Sequence, residues 1–227
     1  GADVFDLPKL KVPSGGATFF TVPDDKGDLQ PLKTFDGVII GVISNLKAWW
    51  VVPFGEAGAT PPDCHSVDGI TGVGWPTLEP RHENSNDMRT KCAECRWNKF
   101  GSKRKGDAFG KGKDCSDFAW VFIVRQGDFV PTLLKVPTMS LPALKKYAMD
   151  LAQRGKQRWE VVTSISLEQD KSSEGGVLYA KTVFRNVAAL TLEEADRFGR
   201  LSDAFATQFA RAAIDPAAFA EPAAAST

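Results

Sequence analysis

The sequence has no apolar run approaching the roughly 20 residues that a membrane-spanning helix needs. It also has no net charge, because 28 basic residues balance 28 acidic ones. The first absence leaves no membrane partner to expect. The second removes overall charge as an argument for a polyanionic one. Gly1 to Leu10 lacks a basic start followed by an apolar stretch, so no secretory signal is visible and a reducing, cytoplasmic compartment is expected. There is no internal repeat. Histidine is scarce: only His65 and His82 are present, and both read as surface residues. What remains is ordinary for a globular chain of 227 residues, with 43% hydrophobic and 25% charged residues. That is enough to bury a sizeable core without disulfides.

Residues 1–33 read as irregular, with Pro8, Pro13, Pro23 and Gly15-Gly16, although Phe19-Phe20 can begin a short strand. Thr34 to Ile43 is rich in β-formers and predicts a strand, with Ser44-Asn45 as a turn into a second strand, Lys47 to Val52. Phe118 to Arg125 is the strongest strand signal in the chain. Ser140 to Arg154 has helical spacing, with Ser140 as N-cap, Pro142 in the first turn and Gly155 as the stop. Arg158 to Leu167 predicts a strand with Trp159, Val161, Thr163, Ile165 and Leu167 on one face. Val177 to Val187 returns beside it after the polar segment Gln169 to Gly176. Thr191 and Glu194 form a capping-box pattern at the start of a final helix, with Phe198, Leu201, Phe205 and Phe209 along one stripe. The Ala-rich end, 215–227, reads as disordered.

Between Phe54 and Asp117 apolar periodicity disappears, and all four cysteines fall there. A structureless stretch of this length is unusual inside a compact domain, so something other than a hydrophobic core must order it. The pattern is Cys64, then Cys92-Ala-Glu-Cys95, then Cys115. A Cys-x-x-Cys turn aims two thiolates at one point, and two further cysteines complete a tetrahedron for one structural Zn2+. Two disulfides would need an oxidising compartment. A redox pair would sit between a strand and a helix. A zinc deaminase needs His-x-Glu and Pro-Cys-x-x-Cys, whereas His82 and Glu83 are adjacent and Lys91 precedes Cys92. His65 or His82 could replace one cysteine, but His65 adjoins Cys64 and is awkwardly placed for the same ion. A closed four-cysteine site has no open coordination position and argues against metal catalysis.

Charge is distributed unevenly. Arg96, Lys99, Lys103, Arg104, Lys105, Lys111 and Lys113 lie within one stretch opposed only by Asp107. Trp97, Phe100 and Phe109 are interleaved with them. Cations neutralise phosphates and aromatic faces stack on bases, which points to single-stranded nucleic acid, DNA or RNA. The alternative is a solvated loop whose aromatics pack on the zinc knuckle. Along 118–125, if Ala119, Val121 and Ile123 face the core, Phe118, Trp120 and Phe122 face outward as a stacking platform. The alternative is that the C-terminal helix covers them. Trp50 has the same ambiguity. The expected nucleic-acid contacts are therefore Trp97, Lys99, Lys103, Arg104, Lys105, Lys111, Lys113, Phe118, Trp120 and Trp50.

The element order predicts a mainly β fold with two helices: an OB-fold-like five-stranded barrel with an inserted zinc ribbon and a C-terminal amphipathic helix. The expected divisions are 34–53 with 117–188 for the barrel, 54–116 for the insertion and 189–214 for the helix. The runs Pro62-Asp-Cys64-His-Ser-Val-Asp-Gly69, Cys92-Ala-Glu-Cys95-Arg-Trp-Asn98 and Gly110-Lys-Gly-Lys-Asp-Cys115 resemble a phage- and prophage-encoded zinc-ribbon family. Pro137-Thr-Met-Ser140 and Val161-Val-Thr163 fit the same pattern. The overall plan is similar to zinc-containing OB-fold single-stranded DNA-binding proteins of phages. That resemblance implies sequence-independent DNA binding with replication or recombination proteins as partners; the acidic tail frequent in such proteins is reduced here to Glu221. Two other functions compete. One is a phage assembly or interaction module using the apolar stripe of the last helix. The other is a metal-dependent nuclease drawing on Asp63, Asp68, Glu83, Asp87 and Asp114, which no recognised spacing unites.

Overall fold

The computed structural model describes residues 7–10, 12–13, 15–23, 29–52, 61–79, 88–125, 127–172 and 176–214. The strands are β1 (Lys9–Leu10), β2 (Phe20–Pro23), β3 (Leu29–Leu32), β4 (Thr34–Trp49), β5 (Cys64–Ser66), β6 (Thr71–Gly74), β7 (Arg89–Lys91), β8 (Lys103–Lys105), β9 (Ala108–Gly110), β10 (Ser116–Val124), β11 (Thr132–Pro137), β12 (Val161–Lys171) and β13 (Leu178–Ala189). The helices are α1 (Leu141–Gln153) and α2 (Leu192–Ile214). The fold is mainly β with two α-helices. Two units can be distinguished, Gly1–Ile43 with Ala119–Phe209, and Ser44–Phe118 with Ala210–Thr227.

In the first unit β1, β11, β10 and β4 follow one another across a sheet, and β12 pairs with β4 and with β13. Among the described residues β13 pairs only with β12, so the sheet is open and the expected barrel is not closed. The core is built by the two side-chain periods. Ala119, Val121 and Ile123 come from one face of β10, and Val161, Ile165 and Leu167 from alternate positions of β12. Leu144, Tyr147 and Leu151 come from one stripe of α1. Thr163, on the same face of β12, is buried with its hydroxyl 2.7 Å from that of Tyr147.

The opposite face of β10 is covered as well. Phe118 and Trp120 are each 2% exposed, and Phe122 is fully buried. Phe122 stacks on Phe209 of α2, with ring centroids 3.8 Å apart. The Phe209 ring lies over Gly41 of β4, where a Cβ would stand 2.5 Å from it. Ser202 of α2 donates its hydroxyl proton to the Ile40 carbonyl at 2.6 Å. A strand apolar on both faces is buried on both. Phe118 and Trp120 are thus not an exposed stacking platform, and the α2 stripe meets this protein's own sheet at Phe209, while Phe198, Leu201 and Phe205 are half-buried.

Helix boundaries follow the sequence signals closely. The Glu194 backbone N–H donates to the Thr191 hydroxyl at 3.3 Å, and Glu194 accepts from the Thr191 backbone N–H at 2.9 Å, completing the capping box. Gly155 ends α1 at φ +64. Ser140 departs from expectation: its hydroxyl accepts from the Thr182 backbone N–H at 2.9 Å and does not cap α1.

Three expectations about the strands are corrected. Asn45 does adopt a left-handed φ of 65°, yet β4 runs straight through it to Trp49, so Ser44-Asn45 is an irregularity in one long strand and not a turn. The described part of residues 1–33 is not wholly irregular: β1 pairs parallel with β11, β2 pairs with β3, and Leu10 and Phe20 enter the core. Residues 158–160 form a 3-10 turn before β12, which takes Trp159 off the strand face. Residues 215–227 lie outside the described residues.

Candidate metal centre and basic fingertip

The second unit begins where the end of β4 pairs with β5, placing Trp49 opposite Cys64. β5 continues into β6 with Cys64 opposite Gly74, and β6 pairs with β7. The Cys92–Cys95 turn follows β7, fixed by the Cys92 N–H donating to the Ile70 carbonyl at 2.8 Å and the Cys95 N–H to the Lys91 carbonyl at 3.1 Å. The Cys115 N–H donates to the Trp97 carbonyl at 2.9 Å, returning the fourth cysteine to the first three. Cys64, Cys92, Cys95 and Cys115 all line one cavity, and none forms a disulfide.

Glycine makes that convergence possible at Gly72. A Cβ there would stand 3.0 Å from the Cys64 sulfur and 3.7 Å from that of Cys92. Among the described residues no three histidine, cysteine, aspartate or glutamate side chains stand in a geometry ready to hold a metal. Burial pushes the Cys115 thiol up to about 12, with Lys47 opposing the rise and Asp117 and the neighbouring thiols adding to it. Burial raises Cys64 further, helped by Cys115, Cys95 and Cys92. Cys92 is raised by burial too, against a Ser66 hydrogen bond and the Lys47 charge. Burial thus favours the protonated form of Cys64, Cys92 and Cys115, and a divalent cation that took the cysteines as thiolates would have to release protons. The donor set fits zinc: four sulfurs on three chain segments can close a tetrahedron. Gly72→Val, tolerable to a strand but not to this cavity, should lower zinc content well below one ion per chain while far-ultraviolet circular dichroism stays unchanged; full zinc occupancy would show that the sulfurs do not meet there.

The cavity wall is a small core of unusual composition. Trp49 and Trp97 stack with centroids 5.1 Å apart, and both are buried. The Arg104 guanidinium lies 5.1 Å from the Trp49 ring centre and 5.3 Å from that of Trp97. Asp114, itself buried, accepts from Arg104 Nε at 2.6 Å and from Trp49 Nε1 at 2.8 Å. Arg104 also donates to the Trp50 and Val51 carbonyls. Trp97 Nε1 donates to the Pro76 carbonyl at 2.8 Å. Asn98 Nδ2 donates to the Cys92 carbonyl at 2.8 Å, and its Oδ1 accepts from Lys47 and Lys113. Asp117 takes both lysines. Burial works against its charge, but the bonds from Lys113 and Lys47 hold its carboxyl below the usual range.

Several expected nucleic-acid contacts are consumed by this packing. Trp97 is 1% exposed, and Trp50 is buried as well. Arg104 is a strut between a carboxylate and two carbonyls, with no free fork for phosphate. Lys113 is partly buried against Asp117, and Lys103 lies 3.6 Å from Asp114. What stays exposed is Arg96, Lys99, Lys105 and Lys111, together with Phe100 at 81% and Phe109 at 55%. The β8–β9 hairpin carries Phe109 opposite Arg104. The Arg96 guanidinium lies 6.0 Å from the Phe109 ring centre, and the Lys113 ammonium 5.6 Å from that of Phe100.

The other candidates have structural employment. Asp68 caps its own turn, accepting from the Ile70 and Thr71 N–H groups at 2.7 and 2.8 Å, which lowers its carboxyl. Asp63 accepts from the Val51 N–H at 2.6 Å. Glu83, Asp87 and His82 lie outside the described residues. His65, expected at the surface, is buried in β5. Lys47, Asn98 and Asp117 were not legible as site residues; the one local signal was the pair of acids flanking Cys115. Among the described residues no helix is long and apolar enough to cross a membrane. No family model, curated protein or solved structure matches the chain.

Proposed function

We propose that this protein binds single-stranded DNA independently of sequence, through a fingertip ordered by one structural zinc ion on Cys64, Cys92, Cys95 and Cys115. The observation that carries the reading is the pair of exposed rings, Phe100 and Phe109, set among the exposed cations Arg96, Lys99, Lys105 and Lys111. Rings left in solvent beside cations provide stacking faces and phosphate contacts in one place. A bound zinc ion would supply a cross-link between β5, the Cys92–Cys95 turn and the segment before β10, and no reactive position.

The strand order supports the same reading. β11, β10, β4, β12 and β13 follow one another as strands three, two, one, four and five of an OB-fold, with α1 between the third and fourth. On this plan Phe118 to Arg125 belongs to strand two, and the cysteine-rich unit is the loop between strands one and two, a usual place for oligonucleotide contact. β1 lies along β11, the strand whose free edge would close the barrel. The resemblance to phage proteins makes replication or recombination the setting, with the proteins of those processes as further partners.

Fluorescence anisotropy with labelled oligo-dT tests the reading. Four phosphate contacts give a log–log salt slope of about −3 for a single strand. Phe100→Ala with Phe109→Ala should weaken binding about 30-fold or more, given about 1–3 kcal/mol for each of two stacked bases. Lys99, Lys105 and Lys111 changed together to Ala should flatten the slope. No binding of the wild type at low salt, or a slope unchanged in the triple variant, refutes the proposal.

A further inference from the structure

A zinc ion on four thiolates is a doubly negative centre, and a buried centre of that kind needs a counter-charge. Lys47 lines the same cavity as the four cysteines. Its ammonium is bonded to one oxygen of Asp117 and donates to Asn98 Oδ1 at 3.2 Å. Lys113 takes the other oxygen of Asp117 at 2.8 Å and reaches the same Asn98 oxygen at 3.3 Å. All three charged side chains are mostly buried, with exposures of 14% for Lys47, 21% for Asp117 and 22% for Lys113. Two cations share one carboxylate, so the trio carries surplus positive charge. Asn98 ties that trio to the metal turn through the Cys92 carbonyl.

We propose that Lys47 is the counter-charge of the metal centre, a positioning residue that Asp117 and Asn98 hold against the thiolates and that raises their affinity for zinc. The inference rests on the zinc reading above. Asp117 orients the ammonium, but it is not the source of the stabilisation, so the two residues should behave oppositely on substitution. Removing the cation leaves the negative centre beside a carboxylate. Removing the carboxylate charge leaves the cation in place.

The test compares wild type, Lys47→Met, Lys47→Arg and Asp117→Asn by chelator competition for zinc and by the spectrum of the cobalt-loaded protein. Lys47→Met should bind zinc about 10–100-fold more weakly, the usual cost of losing a group that supports metal ligands. Its sulfur-to-cobalt charge-transfer band should move to longer wavelength, because thiolates without the nearby cation release electrons more easily. Lys47→Arg should stay within about threefold of wild type, and Asp117→Asn should bind at least as tightly. A mere packing role would weaken Asp117→Asn as much as Lys47→Met and leave the band where it is, and that result overturns the inference. So does equal zinc affinity in wild type and Lys47→Met. A wild type that takes up no zinc overturns the zinc reading and this inference with it, so the two failures are told apart.

Discussion

Cys92→Ser is expected to lose zinc and unfold the cysteine-rich unit. Elemental analysis should fall from one zinc per chain to about none, and amide exchange should become fast across 88–118 while 161–189 keeps its protection. Magnitudes decide this. Among the described residues, the apolar cluster at the cavity has Trp49, Cys64 and Trp97 as its buried members. Fully burying a large side chain contributes about 1.5–3 kcal/mol, so such a cluster supplies a few kcal/mol against the entropy of ordering a polar chain. A structural zinc site supplies on the order of 10–16 kcal/mol at neutral pH. The β12–β13 hairpin depends on a different core of strand faces and α1. If Cys92→Ser retains one zinc and exchanges like wild type over 88–118, Cys92 is not a ligand.

Arg104→Met should destabilise the same unit by about 3–5 kcal/mol, the cost of leaving a buried carboxylate without its partner. Asp114 is 8% exposed, and Arg104 is its closest cation, at 2.6 Å. In a double-mutant cycle, Arg104→Met with Asp114→Leu should cost less than the sum of the two single changes, because the second removes the charge that the first strands. Trp49 would still lose its acceptor, so the double variant should not recover fully. Zinc-loaded protein unfolded in urea gives the measurement. Added salt should change the coupling little, since burial limits screening. An Arg104→Met variant as stable as wild type, with weaker DNA binding, would return Arg104 to the phosphate contacts.

The difference between these residues and their neighbours was not visible in the sequence. Arg96 through Lys113 reads as one basic block, and apart from Lys113, whose partner Asp117 is four residues on, its buried members differ from their neighbours through more distant partners. Arg104 meets Asp114 at a separation of ten residues and Val51 at 53. Lys47 meets Asp117 at a separation of 70. No local pattern encodes such pairs. Periodicity, by contrast, is local, and it placed Ala119, Val121 and Ile123 on the core side of β10 and gave α1, α2 and the face of β12 from Val161 to Leu167. It could not tell an aromatic face awaiting a ligand from one awaiting a helix, because both are apolar. β11 escaped notice between Pro131 and Pro137, where turn signals outweighed a short apolar run. The four cysteines were legible as one cluster because a Cys-x-x-Cys turn and two further cysteines all fall in a stretch that lacks apolar periodicity, and the structure lines one cavity with them.

The clamp that Arg104 places on the Trp50 and Val51 carbonyls also orders events during synthesis. Its partner Asp114 and the last thiol, Cys115, precede β11, α1, β12 and β13 in the chain, so they leave the ribosome before any of those elements does. The cysteine-rich unit can close once that residue emerges, whereas β4 gains its neighbour β12, at Thr163 to Ser166, only later. The insertion interrupts the sheet in sequence but precedes its later strands in time, so the nascent chain can carry a closed cysteine-rich unit while the strands after it are still emerging.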